Sequence, residues 1–245
     1  DNIQNLVLKE VPIIVLQILS IIFNAMFDTG HFPKKWKAAR VICFHKPGKD
    51  GTFPQNYRPI SLLNTMSKLF EKLLLKRLWP ITLDNNVLPR EQFGFRFKHS
   101  TTQQLLRVIE HITCEFNKRR STVGIFLDIQ SAFDKVWHTG LLFKLKQHNF
   151  PLAYIQLINS YLKDRTFFVT YNNNASAQKK IEAGLPQGSL VSPLLFNVFT
   201  ADLPRCPDIN LALFADDTAA YVSSWQPDLA VKKLQTYIDT LETYY

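Results

Sequence analysis

Three aspartates follow apolar runs of strand character, and their position is the first indication of chemistry. Asp128 comes directly after residues 123–127, and Asp216 and Asp217 come just after residues 211–214. Neighbouring strands lie about 4.8 Å apart, so acids that follow adjacent strands would converge at one edge of a sheet. Without a cation, such clustered carboxylates repel one another and at least one takes up a proton. The pattern predicts a cation site, although a tandem Asp pair alone is also typical of an ordinary turn.

Mg²⁺ suits such a site, and the reaction that it indicates is phosphoryl transfer. Mg²⁺ binds a few carboxylates together with substrate phosphates. Two such ions about 3.5–4 Å apart can activate an attacking oxygen and stabilise the leaving oxygen.

Other residues could complete a phosphate or nucleotide site. The segment Gly-Leu-Pro-Gln-Gly-Ser at 184–189 has two glycines and an amide, so its backbone can approach a planar ligand closely. A plain strand-to-helix turn explains it equally well. Lys46 and Arg58 are candidates to hold phosphates, Arg58 through its planar fork, although single basic residues are usually just solvated. Phe133, taken alone, is more typical of a core.

Helical periodicity predicts the elements that position these residues. The uncharged residues 11–27 predict a buried helix that ends near Gly30. The apolar stripe from Ser61 predicts a helix that Pro80 stops, and Ser100 with Gln103 forms a capping box for the next helix. That helix has a stripe of Leu105, Val108, Ile109, Ile112 and Phe116. Further helices are predicted at 138–149, at 151–163, from Ser192 to about Leu203, and from near Pro227.

Strand signals alternate with these helices, so the predicted fold class is α+β. A short strand is expected at 40–44, followed by a basic hairpin-like loop at 46–51. Residues 123–127 are uniformly apolar, which predicts a strand covered on both faces. Residues 166–171 and 176–183 predict a hairpin around Asn172–Asn174, and residues 211–214 and 219–222 predict another around Ala215–Thr218.

Composition and charge narrow the class of protein. The 245 residues are enough for one large or two small domains, and they include three cysteines without disulfide or zinc spacing. The net charge is +9, but residues 31–120 have 18 Lys and Arg against 6 Asp and Glu, whereas the remainder has 11 against 14. This imbalance predicts either a surface that binds a polyanion or a solvated basic face. The run at 11–27 is at the lower limit for a membrane span, and a buried helix is the better interpretation.

Several ordered segments together resemble a known family. Phe-Leu-Asp-Ile-Gln-Ser-Ala-Phe-Asp (126–134), Gly-Leu-Pro-Gln-Gly-Ser-Leu-Val-Ser-Pro (184–193) and Phe-Ala-Asp-Asp (214–217) resemble motifs A, B and C of reverse transcriptases. Upstream, Lys-Pro-Gly-Lys (46–49), Asn-Tyr-Arg-Pro-Ile-Ser-Leu-Leu (56–63), Gln-Phe-Gly-Phe (92–95) and Ser-Thr-Thr (100–102) are similar to the fingers segments of non-LTR, LINE-type retrotransposon polymerases. Within that branch the sequence is most similar to jockey-like elements, and the resemblance spans roughly residues 30–222.

The resemblance implies a right-hand polymerase fold. The fingers would comprise residues 31–121, with 141–183 as a second candidate stretch. The palm would comprise residues 122–140 and 184–245, with a small antiparallel sheet packed on helices. A thumb is not expected within this chain, and the chain is expected to be a fragment of a longer polypeptide with endonuclease and thumb regions.

The resemblance also implies roles for single residues. Asp128, Asp216 and Asp217 match the catalytic acids that bind two Mg²⁺ ions, for which Mn²⁺ is a substitute, and the Ile129 carbonyl is an expected extra ligand. The residues expected to bind the nucleotide are Lys46, Arg58, Phe133, Gln187 and Gly188. Lys46 and Arg58 would hold the triphosphate, although Lys49 is close to Lys46 in sequence. Phe133 would occupy the place of a ribose 2′-hydroxyl, and its ring would exclude that group.

The implied activity is RNA-directed DNA synthesis from an RNA template, a DNA primer and deoxynucleoside triphosphates, inside the cell, in nucleus and cytoplasm, without a membrane. Ser131 stands where retroviral relatives have a further acid, and Phe214 replaces their tyrosine. One alternative is an RNA-dependent RNA polymerase, against which Phe133 and Ala215 argue. The other is a catalytically impaired polymerase fragment that only binds RNA.

Overall fold

The computed structural model describes residues 3, 5–171 and 174–244, and the chain forms two compact units. Unit 1 comprises Asp1–Asn85 and Phe133–Leu195, and unit 2 comprises Asn86–Ala132 and Phe196–Tyr245. The helices are α1 (Asn5–Lys9), α2 (Ile13–Thr29), α3 (Thr65–Asp84), α4 (Thr101–Asn117), α5 (His138–Gln147), α6 (Leu152–Leu162), α7 (Ser192–Phe199) and α8 (Pro227–Tyr244). The strands are β1 (Ala38–His45), β2 (Tyr57–Leu62), β3 (Ser121–Leu127), β4 (Arg165–Tyr171), β5 (Asn174–Ala175), β6 (Lys179–Ile181), β7 (Asn210–Phe214) and β8 (Asp217–Ser224).

This arrangement confirms the α+β class. The predicted elements at 40–44, 138–149, 151–163 and from Pro227 correspond to β1, α5, α6 and α8. Strands β4 and β6 pair antiparallel as predicted, but the turn residues Asn172 and Asn173 lie outside the described part of the chain. The unit boundaries differ from the expected fingers and palm limits, so that division stays a prediction.

Helix α2 has the predicted end but not the predicted burial. Gly30 follows it with φ +61° and donates its N–H to the Met26 carbonyl, a left-handed cap that glycine adopts without strain. Only Phe23, Met26 and Phe27 of α2 are buried. The prediction of a buried helix was wrong because α2 is apolar on more faces than unit 1 covers. In the part of the chain that the structure describes, no helix combines the length and apolarity needed to cross a membrane.

Helix α3 begins and ends later than predicted. Residues 57–62 pair with β1 as strand β2, so the helix starts at Thr65 with Asn64 as its cap. The Asn64 side chain accepts a hydrogen bond from the Met66 N–H at 3.1 Å. Pro80 lies inside the helix, which continues to Asp84. The prediction that Pro80 ends it was wrong: the ring removes one backbone N–H donor, and the helix continues past it.

Helix α4 is capped as predicted but packs through its polar side. The Ser100 hydroxyl accepts a hydrogen bond from the Gln103 N–H at 3.2 Å. Four of the five residues of the predicted apolar stripe, all except Val108, are exposed, whereas Gln104 and Glu115 are buried. The buried positions go to these two residues because their polar atoms have hydrogen-bond partners inside unit 2.

Unit 1 contains a mixed sheet and a helical core. Strand order is β2-β1-β4-β5, with β6 also paired to β4, and β1 and β4 run parallel. An aromatic cluster fills the core beside α2, α3 and α6; it consists of Phe23, Phe27, Phe32, Trp36, Phe70 and Tyr161. The loop between β1 and β2 is the basic loop that the sequence predicts.

Unit 2 contains a three-stranded antiparallel sheet in the order β3-β8-β7. Helix α8 covers one face, and its residues Ala230, Leu234, Tyr237 and Leu241 pack with Leu211, Leu213, Ala220 and Val222. The prediction that β3 is covered on both faces was wrong, since Phe126 is 87% exposed. Helix α7 ends at Phe199, earlier than the predicted Leu203.

Candidate active site

Of the tandem acids, Asp216 lies at the tip of the hairpin formed by β7 and β8, and Asp217 lies directly beside the tip. The last paired residues are Phe214 and Asp217, so only Ala215 and Asp216 form the tip. The predicted four-residue tip was therefore too long, and Asp217 belongs to β8. Ala215 has φ +58°, a left-handed conformation that is uncommon for a residue with a side chain.

Asp128 lies at the same end of the sheet as the tandem acids. Strands β3 and β8 are neighbours, and their pairing ends with Leu127 opposite Thr218. Asp128 therefore leaves β3 next to the point where Asp217 starts β8. Desolvation, followed by the negative charges of Asp216 and Asp128, raises the pKa of the Asp217 carboxyl above its ordinary value of 3.8. The structure thus brings the three acids within electrostatic reach of one another.

The surroundings of these acids favour a cation. Asp128 and Asp217 are exposed and Asp216 is half-buried. Within the described ranges, no lysine, arginine or histidine forms a salt bridge with any of the three. Three mutually repelling carboxylates without a basic partner have the donor chemistry of a divalent cation site.

The acids alone do not surround an ion. Among the residues that the structure describes, no three His, Cys, Asp or Glu side chains converge closely enough to hold a metal. Mg²⁺ is usually held by only one or two carboxylates plus substrate phosphates, so the donor set fits an ion that substrate completes. The Ile129 carbonyl, the expected extra ligand, accepts a hydrogen bond from the Ala132 N–H at 3.3 Å.

Two of the predicted nucleotide-binding residues belong to the hairpin of β1 and β2 in unit 1. Arg58 is exposed and pairs across the strands with Phe44. Lys46 follows β1, and its ammonium group donates a hydrogen bond to the Gln55 carbonyl at 3.1 Å. Lys49 lies on the same loop and is exposed.

Gln187 and Gly188 lie against strand β2. The Ser61 N–H donates to the Gln187 carbonyl at 2.8 Å. A methyl group added to Gly188 would lie 2.7 Å from the Ser61 carbonyl oxygen, and Gly188 has φ +112°. Glycine is therefore required here both by the close backbone approach and by the backbone angle.

Phe133 lies behind the same loop. Its carbonyl accepts a hydrogen bond from the Leu185 N–H, and the Gly184 N–H donates to the Val136 carbonyl, both at 2.8 Å. The Gln187 side chain donates to the Asp134 carboxylate at 3.1 Å. Residues 184–187 line a cavity of about 450 Å³ together with Pro59, Ser61 and Asp134. Unit 1 thus brings together the segments that contain Phe133, Gln187 and Gly188, with β2 beside them.

One functional candidate that the sequence reasoning missed is Glu71, which supports this loop from helix α3. Glu71 is fully buried, and its carboxylate accepts hydrogen bonds from the Ser67 hydroxyl at 3.0 Å, the Ser189 hydroxyl at 2.7 Å and the Leu190 N–H at 2.8 Å. The Tyr161 hydroxyl donates to Ser189, and burial raises the pKa of Tyr161 to about 12. The sequence signal that could have identified Glu71 is the presence of an acid beside the apolar stripe of a predicted helix.

Comparison with known proteins identifies the family. The sequence profile described as reverse transcriptase (RNA-dependent DNA polymerase) matches residues 44–244. This chain belongs to the reverse transcriptase family. It is 43% identical, over its full length, to the probable RNA-directed DNA polymerase from transposon BS of Drosophila melanogaster, and 40% identical to the RNA-directed DNA polymerase from mobile element jockey of the same species. The resemblance to jockey-like non-LTR elements is confirmed.

The relatives are longer than this chain, and a solved telomerase structure shares its fold. The chain spans 28% of the BS protein and 27% of the jockey protein. One solved structure with a similar fold is apo telomerase from Candida tropicalis, truncated from its C-terminal domain. The superposition covers 92% of this chain and 51% of the telomerase chain, with a TM-score of 0.56 and 14% sequence identity. At that identity the likeness concerns the fold alone.

Proposed function

We propose that this chain is the catalytic core of an RNA-directed DNA polymerase of a mobile element. It would add deoxynucleotides to a primer 3′-hydroxyl on an RNA template. The observation that supports this proposal is the group of three carboxylates, without a basic partner in the described residues, at the shared end of β3, β7 and β8.

In this proposal the acids act as ligands and not as nucleophiles. Asp128, Asp216 and Asp217 hold the divalent cations, with the Ile129 carbonyl as a further oxygen. Two Mg²⁺ ions, or Mn²⁺ in their place, would supply charge neutralisation at the attacking and leaving oxygens. The protein itself contributes positioning and fixed charge, which provide most of the catalysis in phosphoryl transfer.

The proposed nucleotide-binding residues have complementary tasks. The Arg58 guanidinium and the Lys46 ammonium bind the triphosphate. Both cations can form charge-assisted hydrogen bonds with phosphate oxygens. Gln187 and Gly188 present backbone and amide groups to the nucleotide. The Phe133 ring excludes a ribose 2′-hydroxyl and offers it no hydrogen bond, so deoxynucleotides are preferred.

The basic part of the chain suggests where the nucleic acid lies. Residues 31–120 are the proposed template-binding region, because their excess of Lys and Arg suits a phosphate backbone. We further propose that the longer polypeptide includes endonuclease and thumb regions and acts in the nucleus and cytoplasm.

The test is primer extension on an RNA template with Mg²⁺, using the protein, its Asp216→Asn variant and Glu242→Gln as a control. Glu242 is an exposed acid on α8, so its neutralisation leaves extension near the wild-type level. Asp216→Asn should lower the rate by about 10³-fold or more, because the cations lose a charged ligand, while RNA binding stays unchanged. Normal synthesis by Asp216→Asn would contradict the cation role.

The same assay separates the alternative functions. Equal use of ribo- and deoxynucleotides would indicate an RNA polymerase, and RNA binding without any extension would indicate a binding module.

A further inference from the structure

The buried Gln92 side chain forms hydrogen bonds with the tip of the hairpin of β7 and β8 in unit 2. Gln92 is 2% exposed. Its amide oxygen accepts hydrogen bonds from the Gly94 N–H at 2.8 Å and from the Ala215 N–H at 2.9 Å. Its amide nitrogen donates to the Ala215 carbonyl at 3.2 Å. One side chain therefore binds both backbone polar groups of the residue that precedes Asp216.

The segment that contains Gln92 is itself held at the edge of the sheet. The Phe93 N–H donates to the Leu213 carbonyl at 2.9 Å, and the Leu213 N–H donates to the Glu91 carbonyl at 3.0 Å, so the segment pairs with β7. The buried Asn197 side chain donates to the Gly94 carbonyl at 2.9 Å. Gln92 thus has a fixed base from which to hold the tip.

Gly94 lets this segment approach the tip. A methyl group at Gly94 would lie 2.0 Å from the Ala215 nitrogen and 2.7 Å from the Phe214 carbonyl carbon. Such distances are impossible for real atoms, so any larger residue must push the segment and the tip apart. The close contact between Gly94 and Ala215 therefore requires glycine at position 94.

The tip needs this support because its backbone is unusual. Ala215 is held at φ +58° without being glycine, and conformations of this kind persist only where surrounding contacts impose them. The Ala215 carbonyl belongs to the peptide bond that leads into Asp216. Hydrogen bonds to both polar groups of Ala215 therefore set the orientation from which the Asp216 and Asp217 side chains leave the backbone.

We propose that Gln92 is a positioning residue that presets the tandem acids for divalent cation binding, with Gly94 as the position that permits the contact. This inference rests on the proposed cation role of the acids. An amide is suited to the task because it offers an acceptor and a donor at once. Gln92 acts through the backbone of Ala215.

The test measures Mn²⁺ binding directly, by electron paramagnetic resonance of the free ion, in the protein and its Gln92→Met and Gly94→Ala variants. Gln92→Met keeps length and volume but loses all three hydrogen bonds. Loss of a residue that orients metal ligands typically lowers metal affinity by about 10–100-fold. We expect a loss in that range for both variants. In primer extension, kcat should fall while the KM for deoxynucleotides stays within about 2-fold.

Gln104→Met is the matched control. Gln104 is also a buried amide beside β7, but it donates to the Glu91 and Leu213 carbonyls and not to the tip. The Gln104→Met variant should lower the melting temperature about as much as Gln92→Met does. Its Mn²⁺ affinity should stay within about 2-fold of the wild-type value, because the acids that bind the ion keep their orientation. If Gln92→Met unfolds, the shorter Gln92→Asn keeps an amide but withdraws it from Ala215, and it should show the same loss of affinity.

The outcomes distinguish this inference from the proposed function. If the wild-type protein binds Mn²⁺ and extends primers while folded Gln92 variants do so with unchanged affinity and kcat, the positioning role is wrong and the polymerase proposal stands. Equal losses in Gln104→Met and Gln92→Met would also overturn it, since the effect would then be general destabilisation. If the wild-type protein neither binds Mn²⁺ nor extends primers, the proposed function itself fails.

Discussion

At the scale of single residues, the pKa of Asp217 reflects desolvation and electrostatic repulsion among the three acids. Its pKa is raised by desolvation and by the charges of Asp216 and Asp128. For a group with a raised folded-state pKa, the stabilising contribution is present below the ordinary value near 3.8 and is lost as pH rises through the folded-state value. At neutral pH, ionised Asp217 is therefore destabilising unless a cation binds.

Asp217→Asn should consequently raise the melting temperature at pH 7 without divalent ions, by an amount on the order of 1 °C. Thermal unfolding with and without Mg²⁺ measures the effect. Mg²⁺ should stabilise the wild-type protein by mass action and the variant much less. Glu242→Gln is the control and should respond to Mg²⁺ like the wild type. A variant stabilised by Mg²⁺ as strongly as the wild type would show that Asp217 is not a ligand.

Phe133 provides a second test at this scale. Phe133→Val should lower the preference for deoxy- over ribonucleotides by about 10-fold or more. In the proposed role the Phe133 ring fills the space that a ribose 2′-hydroxyl would need, and the smaller Val side chain leaves that space open. Competing incorporation of the two nucleotide types measures the ratio. Phe116→Val, at a residue 75% exposed on α4, is the matched control and should leave the ratio unchanged. An unaltered sugar preference in Phe133→Val would remove the selectivity role.

At the scale of elements, the loop at 184–189 is held from two sides. Gly188 lies against β2, while the Glu71 carboxylate on α3 binds Ser189 and Leu190. A buried carboxylate with three donors is costly to disturb, because any donor left unpaired loses its hydration without replacement. The loop conformation therefore depends on α3 and β2 and not on its own residues alone.

Gly188→Ala tests this dependence, with Gly48→Ala as the control. Both glycines have positive φ, but a methyl group at Gly48 meets nothing within 4 Å whereas one at Gly188 meets the Ser61 carbonyl. Each variant bears a backbone cost of about 1–2 kcal/mol for placing a side chain at positive φ. Only Gly188→Ala should also raise the KM for nucleotides, by several-fold, as measured by steady-state extension. Equal KM values in the two variants would argue against a nucleotide role for Gly188.

At the scale of the whole molecule, the distribution of charge predicts how RNA is bound. Lys and Arg exceed Asp and Glu by a wide margin in residues 31–120 and not elsewhere. RNA affinity should fall by about 10³-fold between 50 and 200 mM salt if about six phosphates are contacted. Lys49→Gln should reduce the salt slope by about one unit, whereas Lys232→Gln, an exposed position on α8, should not. Equal slopes in all three proteins would place the RNA elsewhere.

Local sequence signals were sufficient for much of the fold. Ser100 caps α4, Gly30 ends α2, and β7 and β8 form a hairpin with Asp216 at its tip and Asp217 beside it. Each of these features depends on a few consecutive residues, whose hydrogen-bonding and backbone preferences are the same in any context. The acids themselves could be identified for the same reason, because each follows an apolar strand.

Only the tertiary structure decided which surfaces are covered and which residues support the acids. Four of the five residues of the predicted α4 stripe are exposed, as is Phe126 on β3, and Pro80 lies within a continuous helix. Gln92 and Glu71 gain their importance from hydrogen bonds to residues more than one hundred positions away in sequence. Periodicity describes a segment alone, whereas burial and long-range hydrogen bonds depend on which distant segments the fold brings beside it.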